Sequence, residues 1–237
     1  MYVKEKSWKI FDEIYLNYDR INQVLSFGQD RTWRRLVASH LPNTSSLHLL
    51  DLASGTLDQL IACMESCANI ESAIALDLSK NMLEIGKKKL QTKPYREKIR
   101  VIVGDAQNPP FPDCSFDAIT FSFGIRNLSD PFHSLLEMKR LLKPGGKALI
   151  LEFSLPKKPI RSFHLFYLRY LLPHIGGFLS KNPKAYRYLH ETIETFPYGD
   201  AFCAMMQKAG FSSVHAIPLS LGAVTLYVGR QQAVAQL

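Results

Sequence analysis

The feature that most constrains this chain is a hydrophobic pattern that changes period near residue 46. From there it alternates, unit after unit, between short apolar runs and helical stripes. Leu47-His-Leu-Leu-Asp-Leu52 has strand length, and Leu60, Ile61 and Met64 follow at helical spacing. The unit recurs: Ser72 to Asp77 reads as a strand, and Lys80 to Leu90 as a helix with Met82, Ile85 and Leu90 inward. Ile99 to Val103 and Phe116 to Phe121 are the next strands, and Pro131 to Leu142 is a helix with proline in its first turn. Lys143-Pro-Gly-Gly146 predicts a sharp turn into the strand Ala148 to Phe153. Strands alternating with helices predict a doubly wound α/β fold, its parallel sheet covered on both faces. The last two strands, about 212–218 and 222–229, are joined by too few residues for a parallel crossover, so they are predicted antiparallel.

Residues 8 to 41 carry two helical stripes, one through Ile10, Ile14, Ile21 and Leu25, the other through Trp33, Leu36 and Val37. Residues 157 to 196 interrupt the alternation with an aromatic, basic insertion. The reading is one domain over 1–237: a helical cap (1–45), a cofactor-binding core (46–156), the insertion (157–196), and a C-terminal helix with the strand pair (197–230). A formal charge of +8 attracts nucleic acid, anionic membrane or an anionic cofactor without choosing among them. Four cysteines follow no disulfide or zinc spacing and read as thiols; no metal is expected. The opening residues lack an apolar signal core and no run reaches the roughly 18 apolar residues of a membrane span, so a cytoplasmic protein is expected.

In a doubly wound sheet, ligands sit beyond the carboxyl ends of the strands. Three successive ends carry acids here. Asp51-Leu-Ala-Ser-Gly55 closes the first strand, with Gly55 free to turn sharply and approach a ligand. Asp77 closes the second, where a carboxylate can accept from both ribose hydroxyls, and Asp105-Ala106 the third, where one can take an adenine amine. A pyrophosphate needs a glycine-rich turn at a helix N-terminus. The stretch after Gly55 is instead Thr56-Leu57-Asp58-Gln59, whose acid repels phosphate and, with Asp51, suits a sulfonium bearing an ammonium group. S-adenosylmethionine is therefore the expected cofactor. A mostly parallel seven-stranded sheet ending in an antiparallel hairpin, preceded by helices, is the arrangement of class I S-adenosylmethionine-dependent methyltransferases.

Ser122-Phe-Gly-Ile-Arg-Asn127, before Asp130, resembles the UbiE/MenG quinone-biosynthesis methyltransferase family. Further matches are Tyr18-Asp-Arg-Ile-Asn22, Arg31-Thr-Trp-Arg-Arg35, Gly55-Thr56, Leu151-Glu-Phe-Ser154 and Ala209-Gly-Phe211, so the resemblance covers nearly the whole chain. It implies that Thr56, Asp77, Asp105, Ala106 and Ser122 contact the cofactor. The implied reaction is C-methylation of demethylmenaquinol or a polyprenyl-benzoquinol, as in menaquinone or ubiquinone biosynthesis. One position departs: the family writes Gly-Thr-Gly-Asp where this chain has Gly55-Thr-Leu-Asp58. A positive φ would strain Leu57 by about 1–2 kcal/mol, and its side chain is expected to crowd the methionine portion of the cofactor.

Methyl transfer to an aromatic carbon needs an electron-rich ring, which a hydroquinone becomes as a hydroxyl loses its proton. Arg126 and Asn127, just past a strand end, can donate to that oxygen. Tyr18 can orient a ring oxygen or relay a proton. On this reading Arg126→Ala keeps the fold and cofactor binding and loses transfer; the alternative is that Arg126 pairs with Asp130 and holds the turn. Seven Lys or Arg (157, 158, 161, 169, 181, 184, 187) and no acid lie between Lys157 and Arg187, interleaved with Phe163, Phe166, Tyr170 and Phe178. That pattern suits an anionic membrane surface, at its inner face, where a prenylated quinol resides. No nucleic-acid partner is expected, and a homodimer is left open. Rival readings are methylation of another small molecule or of RNA, and a methyltransferase-like scaffold impaired at Leu57.

Overall fold

The computed structural model describes residues 7–172, 174 and 183–233, without the side chains of residue 7 and 183–187. Seven strands form one sheet in the order β3-β2-β1-β4-β5-β7-β6. β1 (Leu47–Leu52), β2 (Ile70–Asp77), β3 (Ile99–Val103), β4 (Phe116–Ser122) and β5 (Leu142–Phe153) run parallel, while β6 (Ser212–Leu219) and β7 (Val224–Arg230) add antiparallel. Within β1 the side chains part to opposite faces, as the two-residue period of a strand requires. Leu47 and Leu49 join a core with Trp33, Val37, Leu60 and Leu83, whereas Leu50 and Leu52 join one with Leu135, Met138, Phe202 and Met206.

The helices before the core are shorter than the stripes suggest: α1 (Ser7–Ile14), a 3-10 turn (Tyr15–Asn17), α2 (Tyr18–Leu25) and α3 (Asp30–Ser39). α4 (Asp58–Ser66), α5 (Lys80–Leu90) and α6 (Pro131–Leu141) cover the sheet. α5 begins where Ser79 Oγ accepts the Met82 N–H at 3.2 Å, and α6 where Asp130 accepts the His133 N–H at 2.9 Å ahead of Pro131. The insertion forms α7 (Ile160–Phe166), running on as a π-helical turn (Tyr167–Leu171), and α8 (Pro183–Thr195); α9 (Asp200–Lys208) follows. Phe178 and Lys181 lie outside the described residues, as do the side chains of Lys184 and Arg187. Ile10, Ile14 and Ile21 of the first helices pack with Leu168, Tyr188 and Ile193 of the insertion, so the two flanking segments meet above the strand ends.

Lys143-Pro-Gly-Gly146 is a bulge inside β5 rather than a turn before it. Leu142 pairs with Phe116 and Lys147 with Ala118, so four residues face one. Gly145 takes φ +80°, and Lys143 Nζ meets the Asp117 carboxylate at 2.8 Å. The double glycine that reads as a turn is what lets the strand kink and continue.

Leu57 does carry a positive φ, +68°, but its side chain leaves the ligand side alone. It is fully buried in the core against α5, at a point where position 86 has no side chain. A Cβ on Gly86 would come within 2.3 Å of Leu57 Cγ. Burying a leucine contributes about 1.5–3 kcal/mol, which offsets the backbone strain. The expected crowding of the cofactor is thereby corrected. Gly86→Ala is expected to destabilise the fold by about 1–3 kcal/mol through overpacking, and Leu57→Gly to relieve it in the double variant. Urea denaturation of the four proteins measures this; losses that simply add would contradict the contact.

Candidate active site

Two cavities open at the carboxyl ends of the strands. The smaller, about 100 Å³, is lined by Gly55, Asp77, Ser79, Met82, Asp105, Ala106, Ser122, Asn127 and Leu128, with Trp8 and Phe11 of α1 closing it. Asp77 Oδ2 accepts the Gly55 N–H at 2.8 Å and Oδ1 the Ser79 N–H at 2.8 Å, which fixes the carboxylate at the strand end. Burial raises its pKa from the ordinary value against those hydrogen bonds. Asp105 Oδ1 takes the Gln107 N–H at 2.8 Å, and Ser122 Oγ donates to Gln59 Oε1 at 3.0 Å. Ala53 (φ +49°), Leu57 and Phe123 (φ +58°) put strained non-glycine backbone at the ends of β1 and β4, beside this cavity.

Two expected cofactor residues do not line it. Thr56 is buried and donates its hydroxyl to Asp19 Oδ1 at 2.5 Å; Asp19 also meets Lys89 Nζ at 2.6 Å, which in turn meets Asp58 at 2.5 Å. Asp58 is thus spent on Lys89. Asp51 lies beneath, 1% exposed, with Oδ1 accepting from Thr120 at 2.6 Å and Oδ2 lacking a hydrogen-bond partner among the described residues. Burial, more than its hydrogen bonds and Arg34 can offset, lifts its pKa to about 6. Asp12 binds Ser79 Oγ and, at 3.0 Å, Asn81 Nδ2, so α1 and α2 are both latched to the core by carboxylates. The smaller cavity, about 100 Å³, lies below the roughly 300 Å³ at which ligand pockets start.

The larger cavity, about 310 Å³, lies between α1–α3 and the insertion. Its walls are mostly apolar, among them Ile10, Leu25, Trp33, Phe153, Leu168 and Ile193, and its polar groups include Arg34, Arg126 and His164. Phe11, Tyr18 and Phe123 line both cavities and so form the partition between them. Tyr18 is partly buried, and its phenol is pushed up by desolvation while a hydrogen bond with Asn22 and the charges of Arg34 and Arg126 pull it back.

Arg126 and Asn127 sit in the 3-10 turn that follows β4, Arg126 on the larger cavity and Asn127 on the smaller. The alternative pairing of Arg126 with Asp130 is not made, since Asp130 caps α6. Arg126 instead meets Glu152 of β5 at 2.7 Å, the two side chains 3% and 0% exposed, and gives a second Nη1 bond to the Phe123 carbonyl at 2.6 Å. Glu152 also receives the Arg126 and Phe153 backbone N–H groups at 3.3 and 2.8 Å. The pair therefore holds the turn carrying Phe123 against β5. Trp8, Phe11 and Phe123 were not legible as site residues, because their placement comes from helices folding back over the sheet. A wall of aromatic residues in the first 11 positions was the available signal.

A geometry of three acidic strand ends beside an apolar chamber can be matched to proteins already known. Among solved structures, a SAM-dependent methyltransferase of Thermotoga maritima superposes with a TM-score of 0.65 at 21% identity, covering 95% of this chain and 100% of that one. The methyltransferase in complex with the Haloferax volcanii Trm112 activator gives 0.65 at 18%, covering 94% and 97%. These likenesses establish the fold as that of class I methyltransferases. Sequence relatives go further. The chain is 40% identical over 229 residues to the ubiquinone/menaquinone biosynthesis C-methyltransferase UbiE of Geotalea daltonii, covering 96% of this chain and 97% of the relative. It is 34% identical over 230 residues to the demethylmenaquinone methyltransferase of Staphylococcus carnosus, covering 97% and 94%. The model of the ubiE/COQ5 methyltransferase family matches residues 1–231, and with that span the chain belongs to this family.

Proposed function

We propose that the protein transfers a methyl group from S-adenosylmethionine to a ring carbon of a reduced isoprenoid quinone precursor, demethylmenaquinol foremost. The observation that carries this is the pair of cavities sharing one partition, the smaller edged by the strand-end carboxylates Asp77 and Asp105, the larger walled by aliphatic and aromatic side chains. The cofactor supplies a methyl on a sulfonium; its transfer to the ring forms a carbon–carbon bond, breaks a carbon–sulfur bond with the electron pair left on sulfur, and releases one proton to solvent.

The residues present suit that cofactor. Asp77 offers ribose hydroxyls an acceptor already oriented by two backbone N–H groups. Asp105 and Ala106 would hold an adenine, with Trp8, Phe11, Met82 and Leu128 as apolar walls of the cavity. Asp51 Oδ2, buried beneath this cavity with no hydrogen-bond partner among the described residues, would supply the charge an ammonium group requires. Gly55 lets the backbone pass close, Ser122 adds a hydroxyl, and Thr56 acts at one remove by tying Asp19 down. On the acceptor side Tyr18 orients a ring oxygen at the partition, Asn127 borders the cofactor, and Arg126 positions Phe123.

The prenyl tail leaves through the mouth of the larger cavity toward a membrane. Phe27, 79% exposed, stands there against Tyr167, and Phe163 and Phe166, 78% and 56% exposed, lie on the same helix as the cavity-lining His164, with the exposed Lys157 and Lys158 nearby in the chain. No helix among the described residues is long and apolar enough to cross a membrane, so the contact would be peripheral. Sedimentation with anionic vesicles is expected to carry the protein down at low salt, and Phe163→Ser with Phe166→Ser to reduce binding about tenfold or more. Binding indifferent to both changes would remove the membrane from the account. The function itself is tested by incubating the protein with methyl-labelled S-adenosylmethionine and either demethylmenaquinol or RNA. Label in the quinol supports the reading, and label in RNA alone overturns it.

A further inference from the structure

The larger cavity contains a cation that the pairing of Arg126 with Glu152 leaves unexplained. Arg34, in the middle of α3, is 9% exposed and lines the cavity. Its Nε has no hydrogen-bond partner, and no ion pair to it forms among the described residues. Asp30, one turn earlier on the same helix, directs Oδ1 to the Ser26 hydroxyl at 3.0 Å. Glu152 is taken by Arg126 at 2.7 Å. The guanidinium carbon of Arg34 lies 5.7 Å from the centre of the Phe123 ring, the partition between the two cavities. A buried charge is costly, and this one is compensated only in part, by the Phe123 ring and by Asp51, whose pKa it lowers, which leaves it able to take an anion from the chamber.

We propose that Arg34 is the anion-binding group of the acceptor chamber, taking the ring oxygen of a bound aromatic hydroxyl compound as that oxygen ionises. The inference rests on the quinol reading above and deepens it. The two arginines then divide the work. Arg126, neutralised by Glu152, shapes the wall, while Arg34 meets the negative charge that makes the ring carbon nucleophilic. The hydroxyl proton passes to solvent, its electron pair stays on oxygen, and the ionised oxygen sits against the guanidinium. Arginine suits this because it keeps its charge in a dry site and offers several N–H donors in one plane.

The test uses the full chain and 4-nitro-1-naphthol, whose visible absorbance separates the neutral from the ionised form. Bound to the wild-type protein, its apparent pKa is expected to fall by about 1–3 units relative to free solution, as for an acid beside an opposite charge. Arg34→Met is expected to abolish that drop and Arg34→Lys to keep most of it. With demethylmenaquinol, Arg34→Met is expected to lower kcat about 100-fold, with KM for S-adenosylmethionine unchanged. Thermal melting and calorimetry with S-adenosylmethionine establish that each variant is folded. An Arg34→Met protein that still shifts the naphthol like the wild type, or a wild-type protein that leaves it unshifted, overturns the proposal. A naphthol shift that depends on Arg34 in a protein that methylates no quinol upholds the anion site while rejecting the quinol reading.

Discussion

Glu152→Ala is expected to cost about 3–5 kcal/mol of folding stability, the largest effect of any single change at the site. The substitution strands the Arg126 guanidinium, 3% exposed, and removes the acceptor for two backbone N–H groups. The reciprocal change behaves differently because a carboxyl can shed its charge and a guanidinium cannot. Burial already raises Glu152 above the ordinary glutamate value in spite of Arg126. In Arg126→Ala it rises further, so the folded protein holds a proton that the unfolded chain has released. Stability is then retained at low pH and lost as pH rises through the folded value. Urea denaturation of Arg126→Ala is expected to show a small loss near pH 5 and a larger one near pH 8. An equal loss at both would contradict the buried pair. The expectation from sequence, that Arg126→Ala spares the fold, gives way to this because the partner is 26 residues away on the next strand.

Asp51→Asn is expected to stabilise the protein and impair it at once. Moving a carboxyl from its ordinary value of 3.8 to about 6 corresponds to about 3 kcal/mol between its two protonation states. That amount is lost as pH rises through the folded value and is recovered below the unfolded one. Asparagine keeps an acceptor for the Thr120 hydroxyl and carries no charge. A gain of about 2 kcal/mol is therefore expected near pH 8, shrinking toward nothing near pH 4. The same change removes the charge proposed for the cofactor's ammonium group, and on that proposal calorimetry is expected to show S-adenosylmethionine binding at least about tenfold weaker. A variant both less stable at pH 8 and unaltered in binding would contradict the placement of Asp51.

How much of this was legible follows from how local each signal is. β3 at Ile99–Val103 and α5 at Lys80–Leu90 were read to the residue, because apolar period and strand-end acids are properties of a few consecutive side chains. The antiparallel close of the sheet followed from the short link, the four residues 220–223, between β6 and β7. The β5 bulge was misread because Gly145-Gly146 signals a turn with equal force whether or not the strand resumes its pairing. Leu57 looked like a defect until Gly86, 29 positions on, supplied the space for it. Thr56 and Asp58, expected at the cofactor, meet Asp19 and Lys89 in the structure, partners that lie 37 and 31 positions away and that no local pattern signals. Arg34 reads in sequence as one base among three in Arg31–Arg35, and only its burial beside Phe123 distinguishes it. The strand ends announce a cofactor site; the acceptor chamber is built by segments that meet only after folding.

The central claim is that the acceptor is a reduced quinone methylated on carbon. It is tested most directly by supplying methyl-labelled S-adenosylmethionine with demethylmenaquinone in its reduced and oxidised forms and locating the label by NMR. The account predicts label on a ring carbon from the reduced form and none from the oxidised form. Label on oxygen, or equal transfer to both forms, would contradict it.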